Sequence, residues 1–494
     1  MNAPSLSPSR RLAERAFSRA AGAPLIGGNA VQLMIDAQAH FDAWLAAIRS
    51  ARSHVLLENY IVRDDDIGRS FRDALAERAA AGVRVCVTLD WLGCLGQSRR
   101  AFWQPLLHAG GEVRVYGAPQ LARPLDFVSR DHRKLLVVDG VQGFISGVCI
   151  SAKWLGEPER DVPPWRDTGL SLCGPAVAEL QAAFADTWST LGTPLDIDAD
   201  AQPCSSSGDV SLRVIATQPR TAGVYRLDQL IASMARKTLW LTDAYFVGIA
   251  PYVQSLAAAA RDGVDVRLLV PGASDIPPVA AMSRAGYRPL LQAGVRVFEW
   301  NGSMLHAKTA VADRQWARVG SSNLNLASWL GNCEIDVAIE DEDIAGQLTE
   351  QYQRDLENAT EIVLAPRRRR RGTRVHSTEQ RARPRPYRPG GSSSRAAAGA
   401  LRLANTVGAA LTRRRVLGRA ETGPIAGGAL ALGVLGILAL IWPAVLGWPL
   451  AVIFLWLSLS LSARWWRLRR IAHQEGELPG FEDEPSESSD EPRS

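Results

Sequence analysis

The sequence predicts a duplicated α/β unit with pseudo-two-fold symmetry, followed by a C-terminal transmembrane helical hairpin. Three observations lead there. Strand-like apolar runs alternate with alanine-rich helical patterns through the first 365 residues, three ordered segments of that region recur, and one long uncharged stretch lies near the end of the 494-residue chain.

The alternation is plain at VLLENYIV (55–62), SFRDALAERAAA (70–81) and VRVCVTLD (83–90), which read as strand, helix and strand of a covered sheet. The recurrence is sharper. ARSHVLLENYIV at 51 returns as ARKTLWLTDAYFV at 235, AERAAAGVRVCVTLD at 76 as AAAARDGVDVRLLVP at 257, and HRKLLVVD at 132 as HAKTAVAD at 306. Three matches in unchanged order divide the chain into an N-terminal segment (1–27) and two halves (28–200 and 201–365). The halves are expected to pair with their recurring polar residues at the interface.

Composition narrows the class. At 47% hydrophobic and 22% charged residues the chain is neither disordered nor a single small module. Its six cysteines form no C-x-x-C pair and have no histidine at metal-ligand spacing, which argues against a zinc site or a disulfide framework and for a reducing compartment. Residues 1–24 lack the apolar run of a signal peptide.

The C-terminal quarter differs. Residues 367–419 hold 16 arginines and one acid, Glu379, although the whole chain nets only +5, so the remainder is acidic. This arginine belt suits an anionic membrane surface, a nucleic acid or a solvated tail. From Gly423 to Ala463 run 41 residues without a charge. A single helix of that length would span about 60 Å, twice a hydrocarbon core. Pro443, Gly447 and Pro449 therefore predict a turn between helices over about 424–442 and 448–463. Arginines on both flanks place both ends in the cytoplasm. Residues 366–422 read as a linker with a possible amphipathic helix, and 464–494 as a basic, then acidic, disordered tail.

Each half contains His-x-Lys-x4-Asp: His132, Lys134 and Asp139, then His306, Lys308 and Asp313. On a strand each His and its Lys share a face, whereas the Asp has opposite parity and opens a turn, so it is expected to fix local geometry more than to touch substrate. After six intervening residues comes a small-residue run, Ser146-Gly147-Val148-Cys149 or Gly320-Ser321-Ser322-Asn323. Small residues let backbone donors approach an oxyanion, and Asn323 adds a side-chain amide. Two histidines and two lysines meeting at an interface make a site for one phosphodiester, without a metal: one His attacks phosphorus, the other protonates the leaving alcohol, and the lysines hold the non-bridging oxygens. A nucleophilic histidine must be neutral and oriented by a carboxylate. The candidates are Glu334 and Asp167, for each of which a surface ion pair is the lesser alternative.

These residues resemble the phospholipase D superfamily, whose mark is the paired H-x-K-x4-D motif with a G-S-x-N-like run. Over about residues 28–365 the chain is similar to the bacterial cardiolipin synthases, through ENYIVRDDDIGRSF (58–71), PWRDTG (164–169), LLVPGASDIP (268–277) and GSSNLNLASW (320–329). The resemblance implies a phospholipase D-type α-β-α sandwich, a catalytic set of all six motif residues, and substrate or supporting roles for Ser321, Asn323, Glu334, Asp167 and Gly147. It implies transfer of a phosphatidyl group from one phospholipid to a glycerol-bearing acceptor through a phosphohistidine, with His132 as nucleophile and His306 as general acid. The expected partners are anionic phospholipids such as phosphatidylglycerol and the bacterial inner membrane, with the catalytic domain on the cytoplasmic side, no cofactor and no nucleic acid. Hydrolysis to phosphatidic acid, a superfamily nuclease, and a scaffold with a dead site are the alternatives. The chain departs from the pattern at Cys149, where the family's first motif has Asn, at Gly169, where many have His and acceptor binding would change, and in its C-terminal rather than N-terminal hairpin.

Overall fold

The computed structural model describes residues 8–118, 129–195 and 206–364. The predicted hairpin (423–463), linker and acidic tail lie outside these residues. Among the described residues no helix is long and apolar enough to cross a membrane.

The chain opens with α1 (Pro8–Ala21), then β1 (Ile26–Ile35), α2 (Asp36–Ser50), β2 (His54–Asn59), α3 (Asp66–Ala80), β3 (Arg84–Asp90), α4 (Gln104–His108), β4 (Glu112–Tyr116), β5 (Lys134–Val138), β6 (Gln142–Ser146), β7 (Thr168–Cys173) and α5 (Val177–Thr190). The second half repeats the plan with β8 (Val210–Thr217), α6 (Gly223–Met234), β9 (Thr238–Thr242), α7 (Ala250–Arg261), β10 (Asp265–Pro271), α8 (Pro277–Ala293), β11 (Arg296–Trp300), β12 (Thr309–Ala312), β13 (Trp316–Gly320), β14 (Glu334–Glu340), α9 (Glu342–Glu357) and β15 (Ala359–Ile362).

The strands lie in the order β15-β11-β10-β9-β12-β13-β14-β8-β1-β7-β6-β5-β2-β3-β4. Read outward from the antiparallel β8/β1 junction, the two halves have the same topology, and β15 is an addition at one edge. The strands β2-β3-β4 and β9-β10-β11 pair in parallel, and their neighbours pair antiparallel.

The apolar strand runs are continuous because both sheet faces are covered. On β5, Leu136 and Val138 enter a core with Trp44 of α2 and Phe71 of α3, while Leu135 and Val137 enter a second core with Leu180 and Phe184 of α5. That second core continues across the junction to Ile335, Val337 and Ile344 of β14 and α9, and a third lies under α6, α7 and α8. The result is the expected layering of helix, sheet and helix, twice over. The N-terminal segment belongs to the second half: Phe17 packs on the third core, and Glu14 pairs with the buried Arg213 of β8 at 2.5 Å.

Candidate active site

Both histidines precede their strands, because β5 begins at Lys134 and β12 at Thr309. Each instead lies in an extended segment pinned to the other half. His132 N donates to Cys333 O at 2.9 Å, and Cys333 N to Arg130 O at 2.8 Å. In mirror fashion His306 N donates to Arg166 O at 2.7 Å, and Arg166 N to Met304 O at 2.9 Å. Backbone pairing therefore brings each histidine beside the residue ahead of a carboxylate from the opposite half.

Those carboxylates are Glu334 and Asp167, both fully buried rather than on the surface. His132 Nδ1 is 2.9 Å from Glu334 Oε2, and His306 Nδ1 is 2.9 Å from Asp167 Oδ2. With Nδ1 engaged, Nε2 is the nitrogen left to each ring for chemistry. Ser321 Oγ donates to Glu334 Oε2 at 2.6 Å, and Trp154 Nε1 to Asp167 Oδ2 at 3.2 Å. Gly147 makes room for Asp167: a Cβ there would meet Asp167 Oδ1 at 2.3 Å. Asp36, which the sequence did not single out, grips the Asp167 backbone from both sides, its N donating to Asp167 O and its Oδ1 accepting from Asp167 N, each at 3.0 Å.

The lysines are fully buried. Lys134 and Lys308 each donate to the carbonyl oxygen of their own histidine, and each approaches a tyrosine ring, Tyr60 at 5.1 Å and Tyr245 at 5.8 Å. These tyrosines occur in the recurring tracts ENYIV and DAYFV, a signal that was present in the sequence. Burial brings Lys308 down to about 8.

Burial also lowers His132 from the ordinary histidine range, against the pull of Glu334. His306 falls to about 4, through burial and the Lys308 charge together. Burial pushes the two carboxyls up, yet each is held below its usual range, Asp167 by His306 and Lys308 and Glu334 by His132 and Lys134. Neutral rings on ionised carboxylates follow, with Nδ1–H donating to oxygen.

Both rings line a single cleft of about 530 Å³. Tyr60, Cys149 and Trp165 from the first half face Tyr245, Asn323 and Ser328 from the second. Asn323 is buried there, and among the described residues its amide oxygen has no hydrogen-bond partner. Cys149 takes the place of an amide in the first half, and burial raises its thiol, so it offers only a weak donor.

Two expectations change. Asp139 and Asp313 are not in the cleft. With φ of 55° and 53° they sit at the far ends of β5 and β12. Each carboxylate accepts three backbone N–H bonds: Asp139 from Arg52, Ser53 and His54, and Asp313 from Arg236, Lys237 and Thr238, all at 2.7–2.9 Å. They fix the turns, as their parity suggested, and do not reach a substrate. Gly169 does not line the cleft either. It lies on β7, where a Cβ would meet His40 Nε2 at 2.3 Å and Ile145 O at 2.6 Å, so the close packing there admits glycine.

Residue Arg133, between His132 and Lys134, is fully buried and bolts the halves together, donating to Ala183 O and Thr187 Oγ1 on one side and to Glu334 O and Thr217 O on the other. Sequence reasoning passed over it, because the middle position of the second motif is Ala307.

Residues 227–356 match the family described as cardiolipin synthase, phospholipase D-like domain. The chain is 34% identical over 368 residues to cardiolipin synthase A of Pseudomonas aeruginosa (strain LESB58), covering 72% of each chain. It is 33% identical over 356 residues to cardiolipin synthase A of Pseudomonas putida (strain W619), covering 71% of this chain and 73% of that one. The fold is similar to that of phosphatidylserine synthase from Haemophilus influenzae Rd KW20, with a TM-score of 0.53 and 14% identity over 70% of this chain and 91% of the other.

Proposed function

The chain belongs to the cardiolipin synthase-like transferases of the phospholipase D superfamily, and from that premise we propose that it makes cardiolipin or a closely related phospholipid by two displacements at phosphorus. One observation carries this reading: two histidines of one cleft, each held through Nδ1 by a carboxylate of the opposite half.

In the first displacement His132 Nε2 attacks the donor phosphorus. The P–N bond forms, the P–O bond to the headgroup alcohol breaks, and the alcohol leaves with the proton of His306 Nε2. In the second, a glycerol hydroxyl of the acceptor gives its proton to His306 and its oxygen attacks phosphorus, breaking the P–N bond. With phosphatidylglycerol as donor and acceptor, two lipids become one cardiolipin and one glycerol. The role of His132 as nucleophile agrees with its greater exposure, 11% of the side chain against 5% for His306. The phosphodiester anion raises His306 on binding, so the ring takes up its proton together with substrate. Lys134, Lys308 and the Asn323 amide stabilise the non-bridging oxygens.

A lipid substrate suits the cleft wall, where Ile276, Met282 and Leu326 remain 43%, 57% and 51% exposed. The same reading assigns residues 423–463 as the anchor in the bacterial inner membrane, with the arginine belt on anionic headgroups and the catalytic halves in the cytoplasm. Expression in cardiolipin-deficient bacteria, beside His132→Ala and His306→Ala, tests it. Cardiolipin is expected only with the intact protein. Phosphatidic acid in its place would make water the acceptor, and normal cardiolipin from either variant would refute the two-histidine mechanism.

A further inference from the structure

Among the described residues that line the cleft, Arg63 and Lys153 bring the cationic groups. The charge of Lys153 is answered: its Nζ lies 3.5 Å from Asp275 Oδ2 and 4.3 Å from the Trp165 ring centroid. That of Arg63 is not. Three aspartates follow it directly, yet each is engaged elsewhere. Asp64 and Asp66 bind Arg69, and Asp65 caps α3 through Gly68 N and accepts from Ser151 Oγ and Ala152 N. Among the described residues the Arg63 side chain has no hydrogen-bond or ion-pair partner, and its Nε is shut off from water.

The root of this side chain is fixed. Arg63 N donates to Ile150 O, and Ile150 N to Ile61 O, both at 3.1 Å. On the other side the first turn of α3 presses on the Arg63 carbonyl so closely that a Cβ on Gly68 would meet it at 1.8 Å. Arg63 is also three residues beyond Tyr60, whose ring centroid is 4.8 Å from that of His132. In an extended chain that sets the Arg63 backbone about 10 Å along from that of Tyr60. A half-exposed guanidinium that lines the cleft with no protein partner, its Nε shut off from water and its backbone held in place, has the character of a binding group for an anion that does not react.

We propose that Arg63 binds the phosphate that the acceptor already carries, and so selects a phosphate-bearing acceptor over free glycerol or water. This rests on the phosphatidyltransferase reading, in which the donor phosphate occupies the two histidines and a second phosphate enters only with the acceptor.

The test uses the full chain in mixed micelles, with labelled phosphatidylglycerol as donor and phosphatidylglycerol, glycerol 3-phosphate or glycerol as acceptor. Loss of one charge-assisted contact should lower the preference for phosphatidylglycerol over glycerol by about tenfold or more in Arg63→Ala, with partial recovery in Arg63→Lys. If the preference for glycerol 3-phosphate over glycerol falls as well, the site reads any phosphate ester. If only the lipid preference falls, it reads the phosphate as part of a lipid headgroup. Wild-type transfer with an unmoved preference in Arg63→Ala overturns the assignment alone, and wild-type protein that makes no cardiolipin overturns it together with the reading beneath it.

Discussion

Gly147→Ala isolates the part that close approach plays in this site. A Cβ at position 147 would lie 2.3 Å from Asp167 Oδ1 and 2.8 Å from Oδ2, where ordinary contact begins at 3.4 Å. The carboxylate has to retreat by roughly 1 Å, and it is fully buried, so it cannot swing into water. A retreat of that size takes the 2.9 Å bond to His306 Nδ1 beyond hydrogen-bond length and frees the ring to rotate. Misplacement by 1 Å costs on the order of a hundredfold in rate. The assay is transfer by the full chain, measured for Gly147→Ala, Asp167→Asn and the double variant. Each single change should lower kcat about a hundredfold. The double variant should be no slower than Asp167→Asn, because both changes break the same contact. A double variant that loses the product of the two effects would refute this reasoning and return Gly147 to the oxyanion role suggested by its place in a small-residue run. The glycine of the second run, Gly320, stands in register with Ser146 rather than Gly147, and Gly320→Ala crowds Asp336, which Arg318 holds.

Two further outcomes follow from the same geometry. Asp313→Ala removes three backbone hydrogen bonds and leaves a left-handed turn without its aspartate, so thermal denaturation should show a loss of about 1–3 kcal/mol while kcat of the folded fraction holds; a collapse of kcat with unchanged melting would put Asp313 back among the catalytic groups. His306 is lowered on folding from 6.5 to about 4, so protonation favours the unfolded chain: its contribution of about 3 kcal/mol is complete above pH 6.5 and disappears as the pH falls through 4. Melting of the detergent-solubilised protein should drop between pH 7 and pH 4, and drop less in His306→Gln; equal drops in the two would show that His306 is not held neutral.

The histidines and lysines were legible because duplication wrote them twice at one spacing, and chance does not repeat a polar set in register. The place of the aspartates was legible from parity, since Asp139 and Asp313 fall on the opposite face and open a turn. What one sequence does not express is which half serves which. Glu334 and Asp167 stood as candidates, but their histidines are 202 and 139 residues away, and no periodicity spans that separation. Arg133 and Asp36 were invisible for a related reason. One is the unrepeated middle residue of a repeated motif, and the other acts through backbone groups of Asp167. Gly147 was noticed with its neighbour misjudged, because a missing side chain does not say which atom fills the space.

The reciprocal pairing has a chemical consequence. Two copies of one motif, related by a pseudo-two-fold axis, would by symmetry have equal rings, and equal rings could not be poised to do different work. The surroundings break the equality. His306 is enclosed by Trp154, Trp165 and Tyr245, with ring centroids at 5.4, 5.7 and 5.8 Å, whereas the ring beside His132 is Tyr60 at 4.8 Å. Enclosure costs the charged form of an imidazole most, which is why burial and Lys308 take His306 to about 4. Under the proposed mechanism a ring so reluctant to hold a proton gives it up readily once charge builds on a leaving oxygen, as a general acid must, provided that the phosphodiester supplies the proton's counter-charge on entry. In the same mechanism His132, the more exposed of the two rings, makes the attack. Two of the three rings around the second histidine, Trp154 and Trp165, come from the first half, so much of the asymmetry, like the carboxylates, is something one half imposes on the other.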